Sequence, residues 1–135
     1  MIIKFSDFTL NESLKPSKIH KTKYVGDYKV LIGKNDKMND ILTFDIADKN
    51  DIWMHASGVP GSHIVIKLEG NDYPPKDILY KSAQLAAENS KSTDDSVKIV
   101  YTERKNVTKD SDHNPGKVNV DYEKSNFINI KKKMG

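Results

Sequence analysis

Short segments that either alternate between apolar and polar residues or are rich in apolar, β-branched residues predict a chain built mainly of β-strands. These segments are residues 28–32, 42–46, 51–55, 63–68, 97–102, 117–122 and 127–130. The last two predict a terminal hairpin that turns across residues 123–126. Residues 76–89 instead carry apolar side chains at a helical spacing, and the Pro74-Pro75 pair before them suits a helix start. The pattern predicts an α+β fold, in which a curled, mostly antiparallel β-sheet packs against one main α-helix in a single domain.

The segment 51–55 predicts a row of three chemically distinctive side chains. If this segment is a strand, Ile52 and Met54 point to one side of the sheet. Asp51, Trp53 and His55 then point to the other side. An acid, a large aromatic ring and an imidazole would follow one another along one face, which makes that face the first candidate for function.

Residues 59–62 predict a sharp turn that joins this strand to the next one. Pro60 and Gly61 suit the second and third positions of a type II turn, in which the third residue needs a positive φ. Residues 63–68 then alternate, with His63 on the face opposite the isoleucines. We therefore expect two strands that meet at a tight corner, with apolar residues on one side and His63 beside the row of three on the other.

Composition narrows the possible functions only slightly. The chain has 135 residues, 30% of them charged, and a formal net charge of +3, which permits binding to a polyanion without requiring it. It has no cysteine, so a disulfide framework and a thiolate metal site are excluded. A cysteine-free chain without a long apolar run suits a reducing compartment away from the membrane. We expect a cytoplasmic protein with no cofactor.

Catalysis is one possible use of the central stretch. Asp51, His55 and His63 could form an acid-oriented imidazole pair or provide three ligands for a metal with an open site. However, the sequence contains no short His-x-x-x-His spacing and no serine in a nucleophile-elbow context. We therefore expect a protein that is not an enzyme and that holds no metal.

Nucleic-acid binding is the second possible use. Exposed Trp and His rings stack on unpaired bases, and Asp51 could accept a hydrogen bond from a base edge or fix the tautomer of His55. The alternative is structural, since a single Trp on a strand also suits a core and Asp51 also suits a turn cap. The basic residues that could hold a nucleic-acid backbone are Lys34, Lys49, Lys67, Arg104 and Lys105.

Several short sequence words occur in a fixed order and carry a family resemblance. They are Gly33-Lys34-Asn35 with Asn39-Asp40, Asp51-Ile52-Trp53-x-His55, Pro60-Gly61-Ser62-His63, Ala83-x-x-Ala86-Ala87 with Ser90-Lys91, Tyr101-Thr102 and Pro115-Gly116. Together they resemble the NFACT-R domain, the RNA-binding domain of the NFACT ribosome quality-control family. The resemblance covers residues 28–130, so we expect an unmatched arm or short strand at residues 1–27 and a basic tail at residues 131–135.

The resemblance implies an α+β domain that binds RNA, with tRNA or ribosomal RNA as the substrate, and it favours an exposed Trp53. We expect a stand-alone form that is linked to ribosome quality control, translation or tRNA modification. Its partners would be RNA, the ribosome or a tRNA-modifying enzyme, and not a membrane. The predicted RNA-binding residues are Lys34, Asn35, Asp51, Trp53, His55, Pro60, Gly61, Ser62, His63, Lys67, Arg104 and Lys105.

Two other functions stay open at this point. One is a protein-binding adaptor that uses the sheet edge or the helix. The other is a small metal-dependent hydrolase or nuclease centred on His55 and His63.

Overall fold

A six-stranded antiparallel sheet forms the centre of the molecule. The computed structural model describes residues 15–132, so residues 1–14 of the predicted arm or short strand and residues 133–135 of the basic tail lie outside the described residues. The strands are β1 (His20–Val25), β2 (Tyr28–Gly33), β3 (Ile52–Ala56), β4 (Ile64–Lys67), β5 (Ser96–Glu103), β6 (Val107–Lys109), β7 (Val118–Val120) and β8 (Asn126–Lys131). The sheet has the order β1-β2-β4-β3-β5-β8, while β6 and β7 form a separate hairpin.

Within residues 15–132, three α-helices accompany the sheet. They are α1 (Pro16–Ile19), α2 (Asp36–Ile41) and α3 (Lys76–Glu88). A π-helical turn, Leu42–Ile46, continues α2, and two 3-10 turns lie at Arg104–Asn106 and Tyr122–Lys124. Among residues 15–132, no helix is both long and apolar enough to cross a bilayer. The α+β prediction, with a mostly antiparallel sheet and one main helix, is confirmed.

The long helix α3 covers one face of the sheet, as its apolar spacing predicts. Ile78 and Leu79 are nearly fully buried, and Ala83 and Ala86 let the helix lie close to the strands. Burial of each of the two large side chains contributes about 1.5–3 kcal/mol. Ile52 and Met54 of β3 belong to this same core, which confirms the predicted alternation of β3.

The opposite face of the sheet carries a second core. Trp53, Leu31, Val65 and Val100 point to this side and pack with Leu42 and Val107. The covering residues come from α2 with its π-helical turn and from the β6–β7 hairpin. Both faces of the central strands are therefore covered, which leaves much less exposed surface than a one-sided sheet would have.

The strand predicted at residues 42–46 is wrong, because this segment is helical. Its apolar residues also fit a helical spacing when Met38 and Ile41 are counted with Leu42 and Ile46. Asn35 caps the N-terminus of α2, and its side chain accepts a hydrogen bond of 3.0 Å from the backbone N–H of Met38. The segment therefore covers the second core as a helical turn and does not join the sheet as a strand.

The predicted terminal hairpin is also wrong. β7 pairs with β6, while β8 pairs with β5 at the edge of the main sheet. These pairings place Ile130 in the core under α3, and they place Val118 and Val120 against the second core. At the other edge, β1 extends the sheet to residues before the predicted domain start at Tyr28.

The type II turn predicted at residues 59–62 is not formed. Gly58 has the positive φ of 80°, whereas Gly61 is not among the glycines with positive φ. Gly61 instead forms an isolated β-bridge with Ser90, at the end of α3. The glycine is needed for this close approach of two backbones and not for a turn.

Candidate functional site

A cleft of about 430 Å³ lies beside the β6–β7 hairpin on the Trp53 side of the sheet. Its lining comes from His55 and Val100 in the sheet, from residues 57–61 after β3, and from residues 115–118 before and within β7. The lining also includes Trp53, His63, Val120 and Tyr122, together with the carboxylates of Asp36 and Asp110. Several of the sequence words that were far apart along the chain therefore meet at one place.

Three aromatic rings form a compact cluster at the base of this cleft. The rings of Trp53 and His55 are stacked with their centroids 5.9 Å apart. His63 meets Trp53 edge-on at 5.3 Å and His55 at 5.1 Å. The predicted row therefore exists, and His63 joins it from the neighbouring strand.

The hydrogen bonds of His63 determine its tautomer. The indole N–H of Trp53 can only donate, so the 3.2 Å contact makes His63 Nδ1 an acceptor. Nε2 then carries the hydrogen and donates it to the carbonyl of Gly116 at 3.2 Å. The hydroxyl of Thr43 also lies 2.8 Å from Nδ1. Both nitrogens are occupied within the protein, which argues against a metal at His63, and residues 15–132 contain no group of three or more candidate ligands.

Burial keeps His63 neutral. Desolvation, and then the neighbouring His55, lower the pKa of His63 from 6.5 to about 3. A protonated Nδ1 would also oppose the donating Trp53 N–H. His63 therefore acts as a fixed neutral bridge between β3, β4 and the Gly116 loop.

Because of this shift, we expect the protein to lose stability as the pH falls below the ordinary histidine value. The unfolded chain takes up a proton at His63 near pH 6.5, whereas the folded chain does so only near pH 3. The free energy of unfolding should fall by about 1.4 kcal/mol per pH unit from this group in that window, and the contribution is absent above it.

Urea unfolding between about pH 7.5 and about pH 5, where few carboxylates titrate, measures this slope. The matched control is His63→Gln, which should show a shallower slope, since only the other histidines remain. Equal slopes in the two proteins would contradict a neutral, buried His63.

Asp51 is a structural carboxylate in this fold. It is 2% exposed, and it accepts hydrogen bonds from the backbone N–H of Asp48 at 2.8 Å and of Leu68 at 2.9 Å. Lys67 lies 2.7 Å from its second oxygen and also pairs with Asp48 at 3.0 Å. Asp51 therefore fixes the loop before β3 to the end of β4.

The prediction that Lys67 is available to an RNA backbone is wrong for this conformation. Lys67 is 8% exposed, and its ammonium also donates to the carbonyl of Ile46. Burial alone would lower the pKa of Lys67, but hydrogen bonds and charge from Asp51 and Asp48 outweigh it and raise the pKa. The ammonium has exchanged water for three protein oxygens.

The prediction of an exposed Trp53 is also wrong. The side chain is 1% exposed and lies in the second core. The sequence pattern correctly placed Trp53 on the face opposite Ile52, but α2 and the β6–β7 hairpin cover that face. Trp53 supports the floor of the cleft and has no ring face free for a nucleobase.

His55 is the member of the row that reaches the surface of the cleft. It is partly buried, and desolvation lowers its pKa, although a hydrogen bond to the backbone of Gly61 and the charge of Asp36 oppose this effect. A neutral imidazole can both stack and hydrogen-bond. The row Asp51, Trp53, His55 thus combines two supporting residues with one that is presented to the cleft.

A second hollow of about 610 Å³ adjoins the cleft through Asp36, Pro60 and Gly61. Its lining includes the exposed Lys34 and Lys91. Asn35, one of the predicted contacts, lines it as well, although its side chain caps α2. The hollow is the more basic of the two and therefore the better place for phosphate groups.

A network of hydrogen bonds holds the hollow and the cleft together. Asn39 donates to the carbonyl of Gly61 at 3.3 Å and accepts from the backbone N–H of His63 at 3.1 Å. The hydroxyl of Ser62 donates to the carbonyl of Gly33 at 2.7 Å. Pro60 and Lys91 are joined by a backbone hydrogen bond of 2.8 Å. Asn39 was missed as a site residue, although it belongs to the sequence words.

We expect Gly61→Ala to be destabilising because this junction has no room for a side chain. A Cβ at Gly61 would lie 2.9 Å from the Cα of Ser90, which is backbone and cannot rotate away. The free energy of unfolding should fall by about 1–3 kcal/mol in urea unfolding. Ser111→Ala, in an exposed turn, is the control and should change little. A Gly61→Ala protein as stable as the control would contradict the close approach.

The remaining predicted cations lie away from the cleft. Arg104 is partly buried, donates to the carbonyl of Thr43 at 2.6 Å and lies 4.8 Å from the centroid of Phe44. Lys105 is exposed and pairs with Glu103 at 3.3 Å. Neither residue lines the cleft or the hollow, so the structure does not bring them together with His55. Tyr122 was missed, because nothing in its sequence context indicates that it lines the cleft.

The curated relatives are far longer than this chain. RqcH of Bacillus subtilis, described as a homolog of Rqc2, is 36% identical over 100 residues, which make up 73% of this chain and 17% of that protein. RqcH of Streptococcus suis is 39% identical over 88 residues, or 64% of this chain and 16% of that protein. The chain thus spans about a sixth of their length.

A solved structure and a family model agree with these relatives. The C-terminal part of the fibronectin/fibrinogen-binding protein of Streptococcus suis matches with a TM-score of 0.71 and 33% identity, over 80% of this chain and 42% of that one. The family model described as the NFACT protein RNA binding domain matches residues 18–121, a range that includes β1 and the lining of the cleft up to β7. The resemblance predicted from the sequence is confirmed, and the chain belongs to the NFACT RNA-binding domain family.

Proposed function

We propose that this protein is an RNA-binding module, with tRNA or ribosomal RNA as its substrate, that acts in ribosome quality control or tRNA modification. One observation carries the proposal: the segment that matches the RNA-binding family contains His55 and most of the lining of the cleft and the hollow. The protein would bind RNA without catalysing a reaction. The setting in ribosome quality control follows from the NFACT family resemblance, which the relatives named RqcH support.

The surface around the cleft suits an RNA segment with unpaired bases. His55 offers an imidazole at the floor, and unpaired bases are the parts of RNA that proteins recognise by stacking and hydrogen bonding. Lys34 and Lys91 in the hollow, with Lys117 at the cleft, provide positive charge for phosphates. If about four phosphates are neutralised, the logarithm of the binding constant should fall with the logarithm of salt concentration at a slope of about −3.

The test is binding of the full chain to labelled tRNA, to a ribosomal RNA hairpin and to single-stranded DNA of equal charge. His55→Ala should weaken RNA binding by about fivefold or more, as expected for one lost stacking partner. Lys81→Ala is the control, since Lys81 is exposed on α3 at the other face of the sheet. Absence of RNA binding by the wild-type protein, or equal effects of the two substitutions, would overturn the proposal.

A protein-binding adaptor is the second candidate, because β1 is the outermost strand of the sheet among residues 15–132 and its Tyr24 is 70% exposed. Lys21 and Lys23 are also exposed on β1, and lysines on an edge strand discourage strand addition. The adaptor requires a partner that is retained after nuclease treatment and lost in Tyr24→Ala. If every partner is lost with nuclease, the adaptor is excluded.

A further inference from the structure

We propose that Tyr122 and Phe127 form a platform on which unpaired RNA bases stack at the outer end of the cleft. This proposal rests on the RNA-binding function above and adds a site to it. The two rings are 58% and 45% exposed, although they are large and apolar. They lie nearly parallel, at an interplanar angle of 5° with centroids 6.2 Å apart. The pair thus presents flat aromatic surface to solvent.

The strand register connects this platform to His55. His55 lies opposite Val100 in the β3–β5 pair, and Val100 lies opposite Phe127 in the β5–β8 pair. Residues directly opposite in antiparallel strands share a face, so these three side chains form one row across the sheet. β3 and β8 are separated by two inter-strand spacings, so the backbones at His55 and Phe127 are about 10 Å apart. Tyr122 lines the cleft itself, so the platform and the cleft form one surface.

Cations lie on the Phe127 side of the platform, whereas the exposed carboxylates of Asp121 and Glu123 flank Tyr122. The ammonium of Lys98 lies 5.1 Å from the centroid of the Phe127 ring, and Lys124 and Lys131 are exposed nearby along the chain. Within residues 15–132, Lys98 forms no ion pair with a carboxylate. A base stacked on the rings would therefore bring its phosphate close to positive charge.

The surroundings of the rings favour bases over an apolar protein surface. Asn129 and Lys98, which share the face of Phe127, are polar. A docking site for an apolar protein surface would need a contiguous apolar patch, whereas stacking needs only a ring face and a cation.

The experiment compares a labelled single-stranded oligo(A) RNA with an abasic oligomer of the same length and charge. Phe127→Ala and Tyr122→Ala should each weaken oligo(A) binding about fivefold or more and leave the abasic oligomer unchanged. Phe127→Tyr and Tyr122→Phe keep the ring faces and should bind as wild type. Tyr24→Ala removes an even more exposed ring at the other sheet edge and should have no effect.

The outcomes separate the two proposals. If His55→Ala weakens RNA binding and the platform variants do not, the platform is wrong and the RNA-binding function stands. If the wild-type chain binds no RNA, both are wrong. Equal losses for oligo(A) and the abasic oligomer would also overturn the platform, because only charge would then matter. If the platform variants change the oligomeric state and not RNA binding, the rings contact protein.

Discussion

Replacement of Asp51 by alanine is expected to lower the free energy of unfolding by about 3–5 kcal/mol. The substitution removes the 2.7 Å partner of Lys67, whose side chain is only 10% exposed, and frees the backbone N–H groups of Asp48 and Leu68. The cost arises because two backbone amides lose their acceptor and the ammonium of Lys67 loses the nearest of its three oxygens, in a place that water reaches poorly. Urea unfolding at neutral pH measures the difference.

Two controls make this prediction specific. Asp51→Asn keeps the shape and removes the charge, so it should also be strongly destabilising. Glu69→Gln breaks a more exposed ion pair, in which the Lys29 side chain is 33% exposed and the Glu69 side chain 49%. This substitution should change the free energy of unfolding by less than about 1 kcal/mol. If Asp51→Ala is no more destabilising than Glu69→Gln, the buried ion pair does not hold β3 to β4.

The same substitution distinguishes support from ligand contact. If Asp51 acts only on the fold, the folded fraction of Asp51→Asn should bind tRNA as tightly as the wild-type protein. A loss of affinity in fully folded protein would assign Asp51 a direct contact. This comparison decides between the two roles that the sequence left open for the acid.

Strand alternation was enough to predict which side chains share a face. Ile52 and Met54 lie under α3, and Trp53 lies on the other side with His55 and His63, as the pattern indicates. The alternation of a strand is a local property, since successive side chains must point to opposite faces. The helix α3 was predicted for the same reason, from its own spacing and its first turn.

The pairing and the covering of strands could not be predicted in this way. Residues 42–46 fit both a strand and a helix spacing, and only the packing over Trp53 decides for the helix. β7 and β8 do not pair with each other. Ile130 of β8 packs in the core under α3, whereas Val120 of β7 packs against the second core. Strand pairing and packing depend on contacts between residues far apart in sequence. The hydrophobic periodicity and the secondary-structure propensity of one segment carry no information about those contacts.

The burial of Trp53 is the consequence of these long-range contacts that matters most for the site. The sequence row of acid, indole and imidazole suggested three contacts on an open face. The structure divides the row into an anchor at Asp51, a support at Trp53 and a presented ring at His55. A motif can therefore serve RNA binding through residues that RNA never touches.

Trp53→Ala is accordingly expected to be destabilising by about 3–5 kcal/mol, as for other large buried aromatic residues. The substitution removes an indole that is 1% exposed, leaves a cavity between Leu31, Val65 and Val100, and takes away the donor to His63 Nδ1. Thermal and urea unfolding, followed by far-UV circular dichroism because the only tryptophan is gone, measure the loss.

Trp53→Phe provides the matched comparison. It keeps an aromatic ring in the core and removes the N–H donor, so it should be destabilising by less than Trp53→Ala. In folded Trp53→Phe protein, tRNA affinity should stay near the wild-type value while His55→Ala weakens it. An exposed stacking residue would give the opposite pattern, with wild-type stability in Trp53→Ala and a loss of tRNA affinity. That result would mean that Trp53 contacts RNA directly, and it would contradict the role of Trp53 as the support beneath His55.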